Sequence, residues 1–336
     1  MRFSHTIGMA TLALVTGLVA CDAPNESSDA NADAGAASSA DRLNGMIALQ
    51  AQNEPVFGLY APRARTGRGR AGGAAPEGPA KTPTELATET LAYASSDFVF
   101  DGSMERSVDE ALPAFSDFVG AMQAGGADAR SNPLVVKMQE IGTDYDGARD
   151  AIGKQLDAGV STIMFVKVES AEEVRQGLAA MRFASNGGTR PDPVGAAPAY
   201  WGVSEAEYRQ KADLWPLNPE GELLNWTIVE SHEGLANVRE IAAVEGIGVL
   251  WPGAGTLRRL FSTTNAAGER VLDEEAWENS IQTVLSACKE FDVACGYPSN
   301  ASDIEMRMEQ GFSVFVMGWG DSGFETVDLG RQLSRR

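Results

Sequence analysis

A chain of 336 residues, 43% hydrophobic and 22% charged, is long enough to bury a large core and polar enough to fold in water. Its formal net charge of −20 argues against general nucleic-acid binding, which needs a basic surface. The first residues read as an export signal. Arg2 supplies the positive start, and residues 7–20 are an apolar stretch too short to be a comfortable transmembrane helix.

That stretch ends in Leu18-Val19-Ala20-Cys21, which resembles a bacterial lipobox. The resemblance implies removal of residues 1–20 as a lipoprotein signal peptide and lipidation of Cys21; an ordinary signal peptide with a chance cysteine is the bland alternative. Asp22 resembles an inner-membrane retention signal. Residues 21–41 are small, acidic and nearly free of apolar side chains, so they read as a flexible tether. The expected address is exported and lipid-anchored, on the periplasmic side of a membrane.

From residue 42 onward, short apolar runs alternate with helical patterns. The runs cover 55–60, 97–101, 133–138, 162–168, 226–230, 247–251, 293–297 and 312–317. Rich in Val, Ile and Phe and mostly without polar alternation, they look like strands buried on both faces of a parallel sheet. Helical spacing predicts helices over 84–95, 107–124, 145–158, 171–182, 233–244, 274–291 and 302–310. Ser170 and Glu173 resemble a capping box. Eight strands with helices between them predict an α/β fold, a single-domain (β/α)8 TIM barrel over residues 42–336.

Ligands bind such folds at the carboxyl ends of the strands, so the residues there are the site candidates. The fifth run ends on Glu230, and the sixth, ending at Trp251, enters a glycine-rich turn through Gly253, Ala254, Gly255 and Thr256. Backbone N–H groups of this turn can cradle a carboxylate or phosphate, or the glycines can serve only the turn. Lys137 closes the third run, and Lys167 and Glu169 close the fourth; Glu169 reads either as a metal ligand or as a helix cap. Trp251, Tyr297, Trp319 and Asp321 stand at later strand ends, where the aromatics line a pocket or plug the barrel. After the signal, His232 is the lone histidine, a proton-transfer candidate or a solvated cap. Cys288 and Cys295 are either a disulfide, permitted outside the cytoplasm, or two buried thiols. Two insertions interrupt the pattern: 63–83, basic and without apolar periodicity, a loop or a lid over an anionic substrate, and 184–215, rich in turn residues.

Several segments in order resemble the HpcH/HpaI aldolase and citrate lyase family. They are Leu156-Asp157-Ala158-Gly159, the stretch from Val168 to Glu173, Arg182-Phe183 with Gly188-Thr189-Arg190, the blocks at 200–202, 212–217 and 221–222, and 241–246. The resemblance implies a carbon–carbon lyase for a small 2-oxo acid, with a divalent ion (Mg²⁺ or Mn²⁺) stabilising the enolate as a Lewis acid. It also implies a homo-oligomer. It places Glu230 at the family's metal-binding Glu and Thr256 at its metal-binding Asp. Lys137 falls at an enolate-stabilising Arg, and the family's Glu-His pair falls on Glu105 and Arg106 if two residues are inserted, otherwise on Ser103 and Met104. The departures at Thr256, Lys137 and the missing histidine keep a second reading open: a barrel that binds a small carboxylate but has lost the chemistry.

Overall fold

The computed structural model describes residues 42–64 and 79–336. Among the described residues ten strands occur, in chain order β1 (Val56–Tyr60), β2 (Val99–Asp101), β3 (Leu134–Lys137), β4 (Thr162–Phe165), β5 (Leu224–Val229), β6 (Val249–Pro252), β7 (Ser262–Thr264), β8 (Arg270–Leu272), β9 (Ala294–Pro298) and β10 (Val314–Met317). All except β7 and β8 close into one parallel barrel, each pairing with its chain neighbour, β6 with β9, and β10 back to β1. This is the (β/α)8 barrel that the eight apolar runs predict. The helices are α1 (Gly45–Gln50), α2 (Pro83–Ala92), α3 (Val108–Ala124), α4 (Tyr145–Asp157), α5 (Ala171–Met181), α6 (Ala197–Trp201), α7 (Glu205–Lys211), α8 (His232–Ala236), α9 (Val238–Ala242), α10 (Ala254–Leu260), α11 (Glu274–Glu290), α12 (Ile304–Gln310) and α13 (Asp321–Leu333).

Strand alternation divides the core into two shells. Inside the barrel sit Phe98, Phe100, Met164, Trp226, Val249 and Trp251, with Met46 and Ile47 of α1 among them. Trp226 is fully buried and lies in ring contact with Phe98, Phe100 and Trp251. Truncating it to Ala would cost about 3–5 kcal/mol. The outer shell, between strands and helices, takes the alternate residues such as Phe57, Ile163, Leu250 and Phe315. Gly296 shows how tight the inner shell is. A Cβ there would lie 2.2 Å from the Trp251 indole, so only glycine fits.

Helix starts follow the local chemistry. Thr82 and Glu85 form a capping box on α2 with Pro83 at its first position, and Ser107, Asp144, Ser170 and Asp273 cap α3, α4, α5 and α11. Three boundaries differ from expectation. The fourth strand stops at Phe165, because Lys167 adopts a left-handed backbone conformation at φ 48°. The predicted helix over 233–244 is broken at Asn237, whose side-chain amide donates to the Glu169 carbonyl at 2.8 Å. Asp321 does not belong to a strand end; it opens α13, after the Gly318–Gly320 stretch has ended the strand run. The β7–β8 hairpin is an element the apolar pattern did not announce, since its residues are mostly exposed.

The insertion at 184–215 forms a short 3-10 turn at Ala184–Asn186, then α6 and α7. Its buried Arg190 donates to Asp157 at 2.9 Å and to the Tyr208 hydroxyl at 3.0 Å, and stacks over Phe183 at 4.3 Å. Arg182 pairs with Asp213. The arginines of that family-like segment therefore brace the outside of the barrel. Cys288 of α11 and Cys295 of β9 are joined as a disulfide. Among the described residues, no helix is long and apolar enough to cross a membrane. The signal, the tether and Cys21 lie outside the described residues.

Candidate active site

The carboxyl ends of the barrel strands open on a cleft of about 1040 Å³. Its floor is apolar: Phe100, Met164, Val166, Ile228, Trp251 and Val316 all belong to the inner shell. The indole N–H of Trp251 is buried and finds no acceptor among the described residues. The walls carry charge. Glu105, Glu140 and Glu230 face Arg106, Lys137, Lys167 and Arg259 across the same space.

Glu230 follows β5 directly and is 9% exposed. No described residue donates a hydrogen bond or forms an ion pair with its carboxylate. Gly253 stands against it: a Cβ there would lie 2.4 Å from the Glu230 Cβ and 2.6 Å from Oε2. Glycine at this position therefore makes room for the carboxylate. A nearly buried carboxylate without a partner is costly, and a proton, a cation or a polar ligand relieves that cost.

Two of the cations are already neutralised. Lys137 Nζ lies 3.3 Å from Glu105, and Lys167 Nζ lies 3.1 Å from Glu140. The hydrogen bond that Lys167 donates to Glu140, then the charge of Glu140, raises the pKa of the Lys167 ammonium above the usual lysine range. Burial raises the hydroxyl of Tyr60, at the end of β1, against the opposing pull of Lys137. That phenol stays a neutral donor at ordinary pH. Arg106 and Arg259 form no ion pair with a described residue. Arg259 instead donates from Nη2 to the Thr256 hydroxyl at 3.0 Å.

The glycine turn is less open than its sequence suggests. The Gly253 N–H is spent on the Val229 carbonyl and the Thr256 N–H on the Gly253 carbonyl, each at 2.9 Å. At most Ala254 and Gly255 can point an amide at a ligand, because the turn closes directly into α10.

Of the candidate residues, the structure brings together Arg106, Lys137, Glu230, Trp251, Gly253, Ala254, Gly255 and Thr256. Two others stay out of the lining. His232 is the first residue of α8, is exposed, and sets its ring edge-on to Phe261 at 5.6 Å. Glu169 is tied into the start of α5, its backbone N–H donating to Glu173 and its carbonyl accepting from Asn237. Met104 packs in the core, whereas Ser103, Glu105 and Arg106 reach the cleft. Tyr297 turns outward, with Arg307 stacked at 4.4 Å. Most of the basic loop, 65–78, lies outside the described residues; Lys81 at its far end pairs with Glu89.

The expected metal site needs two carboxylates, and the donors present fall short. Glu230 supplies one. Thr256 supplies a neutral hydroxyl already engaged by a guanidinium, and Glu169 is not in the cleft. Among the described residues no three His, Cys, Asp or Glu side chains converge as metal ligands. This donor set does not fit a divalent ion, which favours several charged oxygen ligands.

Tyr60, Glu140 and Arg259 are lining residues that site reasoning from sequence passed over, whereas Lys167 was read there as a strand-end residue. Tyr60 and Lys167 each stand at or just past a strand end, and Arg259 lies three residues after Thr256, one helical turn on. Those positions were the available signals.

Comparison with known proteins places this architecture. A sequence model described as HpcH/HpaI aldolase/citrate lyase matches residues 83–320. A hydroxypyruvate/pyruvate aldolase of Delftia acidovorans is 28% identical over 244 residues, 72% of this chain and 74% of that one. A 2-keto-3-deoxy-L-rhamnonate aldolase of Escherichia coli K12 is 29% identical over 195 residues, 58% of this chain; the match spans 65% of that enzyme's length. In fold, the chain resembles a solved HpcH/HpaI aldolase/citrate lyase family protein from Burkholderia cenocepacia, with a TM-score of 0.55 at 21% identity. The match covers 84% of this chain and 94% of that one.

Proposed function

The chain belongs to the HpcH/HpaI aldolase/citrate lyase family, and on that premise we propose that it is an aldolase-type carbon–carbon lyase acting on a small 2-oxo acid. The observation that carries this reading is the Glu230 carboxylate, nearly buried, without a partner among the described residues, and facing cationic side chains in the cleft at the barrel mouth. Those are the parts that enolate chemistry needs: a group to move a proton and positive charge to hold the oxyanion.

In the cleavage direction Glu230 takes the proton of the substrate hydroxyl. The carbon–carbon bond breaks and releases an aldehyde. Its electron pair enters the ketone to give an enolate, and Lys137 stabilises the enolate oxygen. Glu230 then returns its proton to the enolate carbon, giving the 2-oxo acid. The apolar floor, Trp251 included, excludes water and seats the carbon chain. The Tyr60 hydroxyl, held neutral, is a further donor to the ligand. The relatives' names point to hydroxylated 2-oxo acids and pyruvate as the substrate class.

The same proposal includes the address, an exported protein anchored through a lipid on Cys21 at the periplasmic side, and assembly as a homo-oligomer. A second reading rests on Thr256 and on the absence of a histidine from the lining: a barrel that binds a small carboxylate without turning it over. Deuterium exchange at the methyl group of pyruvate in D2O, followed by proton NMR, separates the two. The lyase exchanges the methyl protons faster than buffer does, and Glu230→Gln abolishes the excess. Pyruvate binding without exchange would leave the carboxylate-binding barrel as the function.

A further inference from the structure

We propose that Arg259 carries, as a fixed guanidinium, the positive charge that the family takes from a divalent ion, so that the cleft binds its 2-oxo acid without metal. The inference rests on the 2-oxo-acid reading above and goes beyond it.

Three observations converge. Thr256, which the family resemblance places at the second metal-binding carboxylate, accepts from Arg259 Nη2 at 3.0 Å. Arg259 lines the cleft and meets no carboxylate among the described residues. Glu230, the carboxylate that would remain to a metal, stands in the same cleft with no partner of its own. Charge balance fits the exchange. A divalent ion held by two carboxylates is neutral overall. One guanidinium, one carboxylate and one hydroxyl in the same cleft are neutral too. Losing the aspartate and the ion together leaves one negative charge, and the Arg259 guanidinium restores neutrality.

Geometry favours the same exchange. A guanidinium presents a planar fork that pairs with a carboxylate through two parallel hydrogen bonds, as a chelated ion pairs with the two oxygens of a 2-oxo acid. The bond to Thr256 orients Arg259 from within its own helix, three residues back, which limits the freedom lost when ligand binds. Lys137 and Lys167 are each neutralised by a glutamate and are less available for this task. A divalent ion beside an uncompensated guanidinium would meet repulsion from a like charge.

The test is calorimetric titration of the chelator-treated full-length protein with oxalate, a planar mimic of the enolate, with and without Mn²⁺. The expected result is the same affinity in both, within about twofold. Arg259→Gln weakens oxalate at least about tenfold, and Arg259→Lys, which keeps the charge and loses the fork, falls between. Glu230→Gln leaves oxalate binding intact or tightens it. The Arg259 side chain is exposed, so its variants should melt like the wild type, and a melt on each checks this. Oxalate binding that requires Mn²⁺ and vanishes in Glu230→Gln would overturn the inference while leaving the 2-oxo-acid reading standing. So would an Arg259→Gln variant of unchanged affinity. Absence of oxalate binding under every condition would remove the 2-oxo-acid reading, and this inference with it.

Discussion

At the scale of single residues, the cleft is a set of charges whose pairing decides their use. Glu230 is the one carboxylate of the three without a cation beside it. As the group that moves the proton, it should lower kcat by about a hundredfold to ten-thousandfold when changed to Gln, with KM nearly unchanged. Steady-state aldol cleavage measures both. Thr256→Asp tests the neighbouring position. The new carboxylate would capture Arg259 as an ion pair at three-residue spacing. Oxalate should then bind about tenfold more weakly in chelator, and Mn²⁺ should restore it, since the second carboxylate is back; calorimetry reads both arms. Glu230 and Lys137 were legible in the sequence as strand-end polar groups. That Lys137 is tied to Glu105 was not, because their 32-residue separation closes only when β2 and β3 pair.

At the scale of elements, α11 is held in place twice. Its Glu278 accepts two hydrogen bonds from Arg307 of α12, and its Cys288 is bonded to Cys295 of β9. The Arg307 hydrogen bonds hold the Glu278 carboxyl below the usual range, against the opposing effect of burial. A depressed acid contributes stability above its unfolded value and loses it as pH falls through its folded value. Glu278→Gln should therefore lower stability at neutral pH by about 1 kcal/mol, modest because Glu278 is 36% exposed. The difference in melting temperature from the wild type should close below the folded value; thermal melts across the acid range measure it. The disulfide closes a loop of sequence separation 7. In the chain-entropy account a loop that short is worth about 2–3 kcal/mol. The double variant Cys288→Ala and Cys295→Ala should lose that much in urea titration of oxidised protein, and a reductant should remove most of the difference. The break between α8 and α9 belongs to this scale too. Helical spacing runs through Asn237, but the side chain of Asn237 is recruited by the Glu169 carbonyl on a neighbouring loop.

At the scale of the whole molecule, the segment from Arg42 through α1 and the residues from Arg331 to Arg336 close the barrel's amino-terminal side. Arg42 forms a buried ion pair with Glu222 just before β5, and Met46 and Ile47 of α1 fill the barrel interior. Asp97, ahead of β2, receives both Arg331 and Arg336 from the carboxyl terminus. The opposite face is thereby left to the cleft. A disulfide on that scaffold suits an oxidising compartment, in line with the proposed export. If Cys21 carries the lipid, Cys21→Ser should move the protein from the membrane fraction to the soluble one. Fractionation with labelled palmitate reads the shift, and equal labelling of the variant would overturn the anchor.

The chain's own order of residues determined the barrel, its eight strands and most helix starts. Each of those is written in a few consecutive residues: an apolar run or a cap. The positions of Glu230 and the glycine turn followed too, because strand ends in such a fold all meet at one mouth. Only the tertiary structure decided which charges are spent and which are free. Glu105, Lys137, Glu140, Lys167 and Glu230 arrive from the ends of four strands, and their pairing depends on distances that no local pattern encodes. It also removed His232 and Glu169 from the lining, since a one-residue step past a strand end turns a side chain toward the mouth or away from it.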